Sequence, residues 1–159
     1  MRNERIAQRA ARAVYGSIIA LAVIVVLDKG GAEADEVIAA VIGSVIAATL
    51  AEQYAEYIAH VIRERRHLSR AEIFLQARDG VAGALAALVT LVPFLAVQFD
   101  WIELPTAYEI APWLGLGVIG FYSLVANREA GLRGGANLAV TAVAIGIGAT
   151  LILIKTVTH

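Results

Sequence analysis

Five apolar runs separated by polar connections organise this chain: 13–27, 37–62, 81–99, 110–126 and 136–154. Each approaches or exceeds the roughly 17 to 25 residues that a helix needs to cross about 30 Å of hydrocarbon. The pattern predicts an all-α polytopic membrane protein of five transmembrane helices. Arg2 to Arg12 contain no helix breaker, so the first helix is expected to start ahead of its apolar run and continue to Asp28, where Lys29-Gly30-Gly31 ends it. Asp35 and Glu36 suit the amino terminus of the second helix, whose apolar run would extend about 39 Å at 1.5 Å per residue and so protrude from the hydrocarbon. Ser69-Arg70-Ala71-Glu72 has capping-box spacing and predicts a short helix over 69–79, ending near Asp79-Gly80 and lying on the membrane through Ile73, Phe74 and Leu75. Pro93 falls inside the third span, where a membrane helix tolerates it with local rearrangement. Trp101, Tyr108 and Trp113 are expected to bracket one membrane interface, and 127–135 is a polar turn before the fifth span.

Charge adds an orientation. All but Lys29 and Lys155 of the 13 basic residues lie in the amino-terminal arm (Arg2, Arg5, Arg9, Arg12), the second connection (Arg63, Arg65, Arg66, Arg70, Arg78) and the fourth (Arg128, Arg133). The first and third connections carry acids instead, namely Asp28, Glu33, Asp35, Glu36, Asp100, Glu103 and Glu109. By the positive-inside rule the amino terminus is cytoplasmic and the carboxy terminus outside, which an odd number of spans satisfies. The expected location is the inner (plasma) membrane, with the lipid bilayer as the principal partner.

Composition narrows the function classes. A chain of 159 residues with 59% hydrophobic content and a mean hydropathy of +0.72 exceeds what a soluble domain of this length would bury, and reads as one membrane domain over 1–159. The arginines sit beside spans, fitting an anionic leaflet better than a nucleic-acid backbone. No cysteine is present, so thiolate metal sites and disulfides are excluded. The first run follows an arginine-rich arm without a small-residue cleavage site, and is expected to be a retained span. No phosphate loop, nucleophile elbow or zinc-hydrolase motif occurs, and no enzyme activity or tightly bound cofactor is expected.

The second helix concentrates the polar chemistry. Ala39, Gly43, Ala47, Ala51, Ala55 and Ala59 form a small-residue ridge of the kind that lets helices approach closely, and the first four are the expected dimer contact. A neighbouring ladder, Ala40, Ser44 and Ala48, turns ionisable as Glu52, Glu56 and His60, one slanting stripe with Gln53, Tyr54 and Tyr57 beside it. An acid inside an apolar window costs at least about 2.5 to 3.5 kcal/mol near the bilayer centre and normally faces protein or a water-filled cavity. Glu52, Glu56 and His60 are therefore the candidate transport path, with Glu52 and Glu56 as metal ligands. Carboxylates with an imidazole suit iron, manganese or zinc. One stripe supplies few ligands, but two facing copies would supply four carboxylates, so a homodimer belongs to this reading. A plainer reading makes Glu56, His60 and Arg63 a solvated ion-pair row. Asn127 and Asn137 read as caps, and Gly115, Gly117, Gly120, Gly146 and Gly148 as packing contacts.

The run from Val45 to Tyr54 leading into Arg63-Glu64-Arg65-Arg66 resembles the second helix of vacuolar iron transporters. Gly83-Ala84-Leu85 through Val92-Pro93-Phe94 is similar to their third helix, and Arg128 to Gly135 with Ala144 to Gly148 to their final turn and fifth helix. The resemblance implies a five-span homodimer that exchanges ferrous iron or a related divalent metal for protons, with Glu52 at the position of the second-helix acid. The chain departs from the family in lacking an acid in its first span, a second-helix methionine and a glutamate-rich cytoplasmic domain. The expected function is proton-coupled divalent cation transport. The alternatives are a non-transporting structural or partner-binding module on the same scaffold, and a carrier for another small solute.

Overall fold

The computed structural model describes residues 2–129 and residue 146, and every described element is helical. The expected fifth span, 136–154, with Asn137 and Gly148, lies outside the described residues apart from Gly146. Helix α1 (Arg2–Gly30) is continuous from the polar arm through the first apolar run. Gly31 adopts φ +67° and the chain reverses there, with the Gly31 N–H donating to the Asp28 carbonyl (3.2 Å) and the Ala32 N–H to that of Leu27 (3.2 Å). A left-handed residue at this point costs glycine nothing, which is why the first helix stops as expected.

Helix α2 (Ala34–Glu64) opens under Glu33, whose N–H donates to the Glu36 carboxylate at 3.1 Å, and it ends at Arg65, a left-handed residue at φ 52°. Helix α3 (Arg70–Ala87) opens with the expected capping box: the Glu72 N–H donates to Ser69 Oγ (3.3 Å) and the Ser69 N–H to Glu72 Oε2 (2.8 Å). Arg66 grips the same carboxylate with both Nη atoms, at 3.0 and 2.7 Å. That fork, joined by the hydrogen bonds from Ser69, holds the Glu72 carboxyl well below the usual carboxylate range.

Several boundaries differ from expectation. The helix that starts at Arg70 does not end near Asp79-Gly80 but runs to Ala87, so there is no separate helix over 69–79. Gly80 is a contact point rather than a terminator, since a Cβ there would strike the Gln53 side chain and crowd Thr49 of α2. The third apolar run is also not one helix. It passes from α3 through a 3-10 turn (Leu88–Leu91) into the short α4 (Val92–Gln98), with Pro93 in the first turn of α4. Proline lacks the N–H that would bond four residues back, and its ring crowds that carbonyl, so the break falls just ahead of it.

Helix α5 (Leu104–Glu129) starts earlier than the expected 110 and contains Asn127 and Pro112 in its interior. Among the described residues, three helical segments, Arg9–Gly30, Ala34–Glu64 and Leu104–Val125, are long and apolar enough to cross a membrane. Helix α1 is central, packed against α2, α3 and α5. The core joins Ala20 and Ile24 of α1, Val37, Val41 and Val45 of α2, Leu91 of the 3-10 turn, Phe94 of α4, and Ala107 and Tyr108 of α5. Tyr108 departs from the expected interfacial belt: it is buried, donates its hydroxyl to the Ala32 carbonyl (2.8 Å) and meets the Phe94 ring edge-on at 5.1 Å. Trp101 and Trp113 are exposed. The buried hydroxyls of Ser17 and Thr90 donate to backbone carbonyls four and three residues earlier in the chain, those of Ala13 and Ala87, so neither needs a side-chain partner on another helix.

Of the glycines expected to pack, Gly115 does so closely. A Cβ on it would come within 2.6 to 2.9 Å of three carbons of Leu21, one of the largest fully buried side chains, whereas Gly117 faces open space. Gly115→Ala is expected to cost about 1–3 kcal/mol through overpacking, and Gly117→Ala to leave stability unchanged or slightly raised, both read from thermal unfolding in detergent. Because the Glu72 carboxyl is depressed in the folded chain, the α2–α3 turn holds this contribution in full above the ordinary carboxylate range and loses it progressively as pH falls below that range toward the depressed value. Limited proteolysis of the turn by an acid-active protease should therefore quicken below that range, and Glu72→Gln should abolish that pH dependence.

Candidate functional site

The α1–α2 hairpin decides which side chains meet. Arg12 and Glu52 stand equally far from the Gly31 turn, each about 27 Å along its helix at 1.5 Å per residue. They therefore face each other across the antiparallel pair. Arg12 Nε donates to Glu52 Oε1 at 3.2 Å, and Nη2 donates to Glu56 Oε1 at 2.6 Å and to Oε2 at 2.5 Å. The arginine side chain is 6% exposed, and those of Glu52 and Glu56 are 31% and 39% exposed. A planar guanidinium suits this task, because its fixed fork can hold two carboxylates without rearranging.

Helix α3, which packs against both α1 and α2, completes the cluster. Gln76 Nε2 donates to Glu56 Oε2 (2.9 Å) and to the Gln53 carbonyl (3.2 Å), while Gln53 Nε2 donates to the Gln76 carbonyl (3.0 Å). The close approach at Gly80 lets α3 come near enough for this exchange. Glu56 is thus held by two helices and Glu52 by one. Two carboxylates share one cation, leaving a formal charge of −1 on the trio.

Glu52 also borders an open cavity of ≈ 430 Å³, lined with Tyr15, Ala48, Ala51 and Ala55. The cavity opens on the small-residue side of α2. Ala39, Gly43, Ala47, Ala51, Ala55 and Ala59 are exposed along that helix, with the larger Ile42, Ile46, Leu50, Tyr54, Ile58 and Ile62 also exposed. The ridge expected to meet another helix therefore meets none among the described residues, and a Cβ on Gly43 would touch nothing within 4 Å.

The expected stripe is only partly brought together. Glu52 and Glu56 converge on one guanidinium, but His60 hydrogen-bonds to neither, and its Nε2 is buried without a partner among the described residues. Tyr57 turns to His67, its hydroxyl 2.8 Å from Nδ1. No group of three or more His, Asp or Glu side chains able to hold a metal occurs among the described residues. Arg12 is the residue that sequence reasoning missed, having been counted with the cytoplasmic arm. Its equal distance from the turn was the available signal. Gln76 offered none, since its role depends on the path of α3.

Comparison with protein-family models, curated proteins and solved structures returns no match for this chain. The site is therefore read from its own chemistry.

Removing a partner from a buried ion pair costs about 3–5 kcal/mol, and the partial exposure of both acids reduces that here. Arg12→Met is expected to destabilise the protein by about 2 kcal/mol, and Glu56→Gln more than Glu52→Gln, because Glu56 makes the shorter and more numerous contacts. In a double-mutant cycle read by unfolding in detergent, Arg12→Met with Glu56→Gln should cost less than the two separate losses together.

Proposed function

We propose that this chain is a multi-pass inner-membrane carrier that moves a divalent cation such as iron or manganese in exchange for protons, as a homodimer of the vacuolar iron transporter type. The observation that carries this reading is Glu52, an acid within an apolar helix whose side chain is about one third exposed and borders a cavity on the small-residue face. If the Gly31 turn lies at the outer surface, as the charge asymmetry of the connections favours, Glu52 stands about 27 Å deep and near the inner boundary of the hydrocarbon. Burial raises the proton affinity of a carboxylate and a bound cation lowers it, so one acid can exchange the two. Glu56, steadied by Gln76, is the second ligand, and His60 lies one turn further toward the inner mouth. A second copy placed against Ala39, Gly43, Ala47 and Ala51 would add its own carboxylates to the pair.

One observation favours the non-transporting module instead: Arg12 already hydrogen-bonds both acids, as in a purely structural ion pair. The two readings separate in proteoliposomes carrying internal pH and metal indicators. A carrier gives Mn²⁺- or Fe²⁺-dependent signals that Glu52→Gln abolishes and Glu56→Gln reduces. Background-level signals from the parent and both variants would overturn the cation-carrier reading.

A further inference from the structure

Arg12 neutralises charge at this site and also occupies its carboxylate oxygens. Its Nε and Nη2 lie on oxygens of Glu52 and Glu56, the donor type that a hard divalent cation would use, so ion and guanidinium compete for the same ligands. Arginine does not deprotonate at physiological pH and can free those oxygens only by moving. Two features of the site fit such a movement. Nη1 is buried without a hydrogen-bond partner among the described residues, so the seated guanidinium is incompletely satisfied. Glu56 keeps the Gln76 amide when Arg12 leaves, so one ligand stays in place. Arg12 also sits at the polar end of the first apolar run, where a long cationic side chain can reach toward water while its stem remains packed.

We propose that Arg12 is a tethered counter-cation that occupies the Glu52–Glu56 pair at rest, and that a divalent cation enters only as the guanidinium withdraws. The inference rests on reading those acids as cation ligands. It makes Arg12 a positioning and gating residue, one that sets the threshold cation concentration of the site.

The test is equilibrium Mn²⁺ binding to the purified full-length protein in detergent, followed by the loss of the free Mn²⁺ electron paramagnetic resonance signal. Four proteins are compared: the parent, Arg12→Gln, Arg12→Lys and the triple variant Arg12→Gln/Glu52→Gln/Glu56→Gln. Arg12→Gln should bind about tenfold tighter or more, since the competing charge is gone. Arg12→Lys, which keeps the charge but not the fork, should fall between it and the parent. The triple variant should lose the gain. Equal binding by the parent and Arg12→Gln, or a gain that survives in the triple variant, would overturn the proposal. If Arg12→Gln does not fold, binding by Arg12→Lys no tighter than the parent's would overturn it equally. Binding at equilibrium needs no flux, so a parent that fails to transport yet shows Arg12-dependent binding defeats the carrier reading alone.

Discussion

A guanidinium buried between two helices must find anions, and this requirement ties the polar end of the bundle together. Arg12 is nearly inaccessible, so any arrangement that drew α1 away from Glu52 and Glu56 would leave a cation unpaired in an apolar setting, at a cost of several kcal/mol. The ion pairs thereby fix the register of α1 on α2 at the end far from the Gly31 turn. Gln76 extends the constraint to α3 through Glu56 and the backbone of Gln53. At the opposite end the constraint is apolar: Phe94 and Tyr108 pack edge to face, and the tyrosine hydroxyl closes on the Ala32 carbonyl beside the turn. The hairpin is thus fastened at one end by charge and at the other by aromatic packing.

Helix α2 lives in two environments. Val37, Val41 and Val45 are fully or almost fully buried against α1 and its neighbours, while the alanine ridge and its flanking isoleucines face outward. A soluble protein rarely leaves an apolar surface of that extent uncovered, whereas a bilayer or a second copy accepts it. Glu52 lies where these environments meet, bonded to Arg12 on the inner side and bordering the cavity on the outer one. Its chemistry therefore depends on what covers that face, and this links the proposed homodimer to the proposed cation site.

Much of the fold was legible because the signals were local. The stop at Gly30-Gly31, the capping box at Ser69 and Glu72, the continuous first helix and the stripe through Glu52 and Glu56 follow from backbone preferences and helical periodicity within a few residues. The errors share a cause. Gly80 read as a helix end because glycine breaks helices in isolation, but it lies against Thr49 and Gln53 of α2 and the helix continues past it to Ala87. Tyr108 read as an interfacial residue because its ring is amphipathic, but a carbonyl across the bundle accepts its hydroxyl. At Pro93 the expected local rearrangement is present as the 3-10 turn just ahead of it.

The candidate site divides along the same line. Sequence alone determined that two acids one helical turn apart stand in an apolar helix beside a ridge of small residues, because periodicity places i and i+4 on one face. Only the tertiary structure decided that Arg12 lies between them, that Gln76 secures one of them and that His60 stands apart. Those contacts join residues far apart in the chain, and their geometry is set by how α1 and α3 cross α2, which no local pattern encodes.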